Sequence, residues 1–221
     1  RGSACLTNHS LDTYQPVGMC QGMPTSQPHH PAPGGARKKL LEAAVALIRA
    51  KGYAGTSVDE LCAAAGVTKG AFFHHFASKE ALGVAAADHW SVTTARIFEG
   101  APYHDHAGPL DRVIGYLDFR AWLIGGTTAQ FTCLAGTMAQ EIFTSHPAIR
   151  TACYASIAGN AAELEDDLEL ALESIDAPDG VTAHGLAMHI QCVLQGAFVI
   201  AKAKDDPAFA VESLLHLRRY F

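Results

Sequence analysis

The stretch SVDELCAAAGVTKGAFFHHFASK, Ser57 to Lys79, decides how the rest of the chain is read. Val58, Leu61, Cys62 and Ala65 stand at i, i+3, i+4 and i+7, the spacing that gives one short helix a single apolar face. Ser57 and Glu60 form an S-x-x-E capping box that sets where this helix begins. Gly66 ends it. Thr68 can cap a second short helix through its hydroxyl, with Lys69 to His75 as the polar edge and Phe72 and Phe76, four residues apart, as the anchor. Two short helices around a tight glycine turn make a helix-turn-helix, whose second helix is built to lie in the major groove of DNA.

Upstream, Leu41, Ala44, Val45 and Ile48 give a helix from Lys38 to about Lys51 a face that packs on the motif, and Gly52 closes it. Downstream, Ser78 caps a long helix from Lys79 to about Glu99. Thr56 and Ser57 place two hydroxyls beside the free N–H groups of a helix start, a suitable phosphate clamp.

These residues resemble the DNA-binding domain of the TetR family of bacterial transcriptional regulators. The similarity rests on the helix Leu40 to Ala50, Gly52-Tyr53 with Thr56-Ser57, Leu61 with Ala65-Gly66-Val67, Lys69-Gly70-Ala71-Phe72-Phe73-His74-His75-Phe76, and Ser78-Lys79-Glu80 with Leu82. It implies an all-α protein: a three-helix head (37–82) joined by a long helix to a helical effector-binding and dimerisation domain (83–221). It also implies a double-stranded DNA operator as partner, read by Lys69, Gly70, Ala71, His74 and His75, with Thr56, Ser57, Thr68 and Lys79 on phosphates. Phe73 departs from the family, which usually carries there a tyrosine that donates to a backbone phosphate.

A net charge of −6 argues against a nucleic-acid partner until it is divided along the chain. Residues 37–82 hold seven Lys or Arg against four acids, whereas 83–221 hold eight against seventeen. The positive charge sits where phosphate attraction would use it.

Residues 1–36 lack apolar periodicity and are rich in Pro, Gly, Ser and His, so a disordered tail is expected, with Met19 and Met23 as candidate starts. Beyond Glu99, helical stripes recur at 110–124, 131–142, 148–174 with Ile175 as its last apolar position, Val181 to Ala203 and Pro207 to Tyr220, and the acids at 165–167 are expected to face water. No uninterrupted apolar segment reaches the roughly 18 residues of a membrane span. The richest, Leu186 to Ala201, contains His189, Gln191, Gln195 and Gly196, so a buried helix is expected rather than a membrane partner. Six cysteines without C-x-x-C pairing suggest free thiols and a cytoplasmic location. The family resemblance assigns the homodimer interface to the last two helices, roughly 181–221, and dimerisation would present two recognition helices to a palindrome.

A small-molecule effector is expected in the second domain, with Trp90, Phe98, Phe119, Trp122, Phe131, Cys133, Met138, Tyr154 and His189 as candidate lining. The run Cys133-Leu134-Ala135-Gly136 resembles a family subgroup in which such a thiol senses electrophiles or oxidants, although no thiolate-stabilising cation closely precedes it in sequence. The twelve histidines show no helical pairing with a third ligand, so no metal is expected, and no cofactor. No Ser/His/Asp set, P-loop or dinucleotide pattern points to an enzyme. A ligand-released repressor is the leading reading; an activator of the same fold, or a helical ligand-binding module without DNA function, are the alternatives.

Overall fold

A computed structural model of the chain describes residues 35–175 and 177–221. The expected tail therefore lies outside the described residues except at Gly35 and Ala36, which open the first helix. The described residues form eleven α-helices: α1 (Ala36–Lys51), α2 (Val58–Ala65), α3 (Lys69–His75), α4 (Lys79–Glu99), α5 (Pro109–Leu123), α6 (Thr128–Phe131), α7 (Leu134–Ile142), α8 (Pro147–Ala162), α9 (Glu165–Glu173), α10 (Ala183–Lys204) and α11 (Ala208–Arg218).

Local chemistry starts and stops the first four. The Ser57 hydroxyl accepts from the Glu60 N–H at 3.2 Å while the Glu60 carboxylate accepts the Ser57 N–H at 2.8 Å, the reciprocal capping box expected from the spacing. Thr68 caps α3 through the Ala71 N–H at 3.1 Å, and Ser78 caps α4 through the Ala81 N–H at 3.0 Å. Gly66, at φ +63°, provides the left-handed turn between α2 and α3 that a residue with a Cβ adopts only at a cost.

Two apolar clusters hold the helices together. The first joins Leu40, Ala44 and Ile48 of α1, Leu61 of α2, Phe72 of α3 and Leu82 of α4. It continues without a gap into Leu134 and Met138 of α7 and Ile149 and Cys153 of α8. A three-helix head offers little apolar surface of its own, and each fully buried Leu, Ile or Phe adds about 1.5–3 kcal/mol. The boundary drawn at 82/83 thus falls within α4 and across a shared core. The second cluster packs Phe98 at the far end of α4 against Tyr116 and Phe119 of α5, Leu164 and Leu168, Ile190 and Leu194 of α10, and Leu214 of α11. One rigid helix, α4, touches both.

Four expectations are corrected. The stripe at 148–174 is two helices, α8 and α9, interrupted at Glu163 and Leu164. Its apolar spacing runs in phase through the break, so periodicity alone does not show it. Ile175, placed on that stripe, is exposed. The helix begun at Phe131 is likewise two pieces, with Cys133 at the join accepting the Gly136 N–H through Sγ at 3.4 Å. Asp167 does not face water: it accepts from Arg112 Nε at 2.8 Å and ties α9 to α5, 55 residues away.

The helix α10 is long and apolar enough to cross a membrane by length and composition, with a mean hydropathy of 1.4 over its best window. It buries Ala187, Ile190, Leu194, Ala197 and Ala201 and packs on α8, α9 and α11, as the core-helix expectation requires.

Candidate DNA-binding head and effector cavity

Phe72 is fully buried and Phe76 nearly so, and they clamp α3 onto α1. The opposite face of α3 is open to solvent at Lys69, Gly70, Phe73 and His74, with Ala71 and His75 half-buried at its edges. Phe73 is 57% exposed and meets Phe72 edge-on, with centroids 5.1 Å apart. An apolar ring of that size facing water has no packing reason to be there. Lys69 pairs with Asp59 of α2 at 2.7 Å, a contact between two exposed side chains that a phosphate could replace at little cost.

The proposed phosphate clamp fares less well. Thr56 is fully buried and its hydroxyl donates to the Gly52 carbonyl at 2.7 Å, so it locks the α1–α2 turn and does not reach a phosphate. The Ser57 hydroxyl is exposed yet already shared with the Glu60 carboxylate, at 2.9 Å. Lys51, Ser57 and α2's own start all turn toward Glu60, whose carboxyl is held down at about 2 by the Lys51 ammonium first and the Ser57 donors next. Lys79 is half-buried with its ammonium 4.2 Å above the Tyr53 ring, and burial pushes its pKa below the ordinary lysine value. It joins the start of α4 to the α1–α2 turn and would have to swing away to meet a phosphate. Thr68 remains exposed beside α3.

Behind the head, one long-range tie reaches the α1–α2 turn and another reaches the end of α1. Glu141 of α7 accepts the Tyr53 N–H at 2.5 Å and the Ala54 N–H at 2.9 Å. Gly52, at φ +86°, makes room for it: a Cβ there would stand 2.9 Å from both carboxylate oxygens. Arg49, near the end of α1, donates to the carbonyls of Thr132 at 2.7 Å and of Gln130, and lies 4.6 Å over the Trp90 ring. Sequence reasoning missed both groups. A charged residue on the otherwise apolar inner face of α1, and an acid following the Cys133 run, were the available signals.

The candidate lining residues separate cleanly. Trp90, Phe98 and Phe131 line a cavity of about 610 Å³ between α1, α4, α5 and α6. Cys133 lines a second, of about 310 Å³, with Gly52, Glu141 and Lys202. Phe119 fills the core beside Phe98 and Tyr103. Met138 is fully buried in the head-side cluster, while Trp122 and Tyr154 are 58% and 62% exposed and His189 lies on the surface against Tyr220. These last four line neither of these two cavities, because a regular stripe identifies a helix face without saying whether that face meets core, void or water.

Cys133 has the cationic neighbours that its own stretch of sequence lacks. Burial pushes the Lys202 ammonium down, Cys133 counteracts that, and Arg49 adds to it. Burial likewise lowers the Arg49 guanidinium, with Cys133 opposing. Cys153, close by, is raised to about 12 by burial first and by Cys133 second. Among the described residues, Cys62, Cys133, Cys153 and Cys192 are all free thiols.

Residues 40–86 match the family model described as bacterial regulatory proteins, tetR family. The chain is 29% identical over 107 residues to the transcriptional regulator AcuR of Cereibacter sphaeroides, covering 48% of this chain and 49% of that protein. It is 28% identical over 113 residues to the HTH-type transcriptional repressor DhaR of Mycobacterium sp. strain GP1, covering 48% of this chain and 57% of that protein. The chain thus spans about half the length of the curated relatives it matches. The reduced form of NemR from Escherichia coli superposes with a TM-score of 0.70 and 25% identity, over 83% of this chain and 95% of that one.

Proposed function

Because this chain belongs to the TetR family of bacterial regulatory proteins, we propose that it is a homodimeric cytoplasmic repressor that leaves a palindromic operator when a small molecule enters its helical half. The observation that carries this is the open face of α3. A seven-residue helix, capped by Thr68 and anchored by Phe72, turns Lys69, Gly70, Phe73 and His74 outward on the positively charged end of an otherwise acidic chain. One matched relative, DhaR, is named a repressor, which supports the direction of control.

Dimerisation runs through the last two helices. Val199 and Ile200 of α10 are 38% and 43% exposed, and Val181 and Tyr220, flanking the two helices, 39% and 65%, apolar surface that one subunit leaves uncovered. Release works through the turn at Gly52 to Ala54. Glu141 and Arg49 connect it to both cavities, so a ligand that shifts α6 or α7 changes the angle at which α1 and α4 carry α3. Footprinting on the DNA flanking its own gene tests the reading. Two protected half-sites about one helical turn apart are expected; protection of one isolated half-site would exclude the dimer.

A second reading of the trigger is favoured by Lys202, which lines the same cavity as Cys133, and by Arg49, which donates to the carbonyl of the adjacent Thr132; one structural neighbour is described in a reduced form. In this reading the Cys133 thiolate adds to the electron-poor double bond of an electrophile, forming a C–S bond while the neighbouring carbon takes up a proton. N-ethylmaleimide should then release operator DNA from the native chain and not from Cys133→Ser. Equal release from both excludes it.

A further inference from the structure

Arg120 of α5 lines both a large cavity and the narrow space that continues from it. The largest, of about 610 Å³, is lined by Lys38, Arg49, Arg96 and Arg120 against the one acid Glu42, which already pairs with Lys38 at 3.5 Å. A constriction of about 30 Å³ continues inward past Arg120 and Phe131 to Asn160 and Gln191. Beyond Asn160 a third space, of about 250 Å³, reaches Ser156.

The guanidinium of Arg120 is held in one pose without being neutralised. Its Nε donates to the Tyr116 hydroxyl at 2.8 Å, its Nη2 donates to Asn160 Oδ1 at 3.3 Å, and it stacks 4.1 Å over the Phe98 ring. No carboxylate pairs with it among the described residues, and its Nη1 makes no hydrogen bond there. At the inner end Gln191 is 3% exposed, and its Nε2 has no partner. Ser156, 4% exposed, also has an unpartnered hydroxyl. Buried donors left unpaired are rare in folded proteins because nothing repays their lost hydration. Here one such group, Gln191, shares a constriction with a positioned cation and with Trp90 and Phe131, while Ser156 lines the separate space beyond Asn160.

We propose that this cavity binds an organic carboxylate with a flat apolar body, and that this is the effector of the repressor reading, on which the proposal rests. Arg120 Nη1 and Gln191 Nε2 donate to the carboxylate oxygens, and the body lies against Trp90 and Phe131. Two donors in so narrow a constriction suit a planar carboxylate better than a tetrahedral phosphate. The body would share the Trp90 face with Arg49, whose other bonds tie α1 to Gln130 and Thr132, so occupancy acts directly on the head.

Calorimetry on the full chain without DNA, with benzoate and neutral benzamide as probes, tests the site. Benzoate should bind at least about tenfold more tightly than benzamide, the size of one charge-assisted hydrogen bond. Arg120→Lys and Gln191→Leu should each weaken benzoate about fivefold or more, with the unfolding temperature checked for both. Lys202→Met, in the neighbouring cavity, should leave it unchanged. Equal binding of the two probes, binding of neither, or wild-type affinity in both site variants overturns the proposal, the last meaning that a trapped water satisfies Gln191. An operator fragment separates this from the repressor reading. Benzoate that binds as expected yet leaves the complex with DNA intact keeps the site and removes its effector role. Operator binding that persists while benzoate fails to bind removes the site alone.

Discussion

In the head, α2, α3 and α4 each begin at a hydroxyl, Ser57, Thr68 and Ser78, that accepts an N–H three residues ahead. In the half behind it, α7 and α10 begin at Cys133 and Thr182 caps, but α5, α8 and α9 begin without any side-chain cap. That half relies more on ties between residues far apart in the chain: Arg112 with Asp167, Arg218 with Asp118, Lys202 with Thr137. The head's geometry is therefore dictated locally and can serve one fixed task, while the rest depends on packing that a ligand can alter. Glu141 and Arg49 are where the second kind of construction takes hold of the first.

The largest test of this contrast is Phe72→Ala. Removing a fully buried ring that anchors a seven-residue helix should cost about 3–5 kcal/mol in denaturant unfolding. A cost below about 1 kcal/mol would mean that caps alone hold α3. Glu141→Ala comes next. It strips the acceptor from the Tyr53 and Ala54 N–H groups and should lower stability by about 1–3 kcal/mol, while shrinking the difference in operator affinity with and without effector. Full loss of operator binding with stability unchanged would make Glu141 part of the interface, not of the coupling.

Phe73→Tyr sharpens the comparison from the other side. A phenol hydroxyl on the open face of α3 should tighten binding by about 1 kcal/mol on every duplex alike, measured at fixed salt. The smallest effect concerns the capping box. The Glu60 carboxyl sits at about 2 in the folded head against an ordinary 4.5, so the folded state binds fewer protons than the unfolded chain in between. Its contribution is full above about 4.5 and disappears as pH falls toward about 2, and Glu60→Gln should flatten that acid limb of the stability curve.

The same contrast explains what could be read in advance. Ser57, Glu60, Gly66, Thr68 and the two phenylalanines act within a few residues, so spacing alone placed the motif, and the family resemblance placed the rest of the head. Thr56 was misread because a hydroxyl at a helix entry looks alike whether it faces phosphate or, as here, the carbonyl of Gly52. The break at Glu163 was hidden by a stripe that stays in phase. Trp122, Tyr154 and His189 looked like lining because period marks a face and not its neighbour. Arg120 and Gln191 were visible as polar residues on apolar helices, but their convergence depends on side chains of α5, α8 and α10 lining one constriction, which no local pattern encodes.

Salt-titrated binding of the purified chain to a duplex carrying its upstream region tests the central claim most directly. Affinity should depend on sequence and fall roughly a thousandfold between 50 and 200 mM salt, with two subunits bound per site. A chain that stays monomeric, or ignores every duplex at low ionic strength, would contradict it.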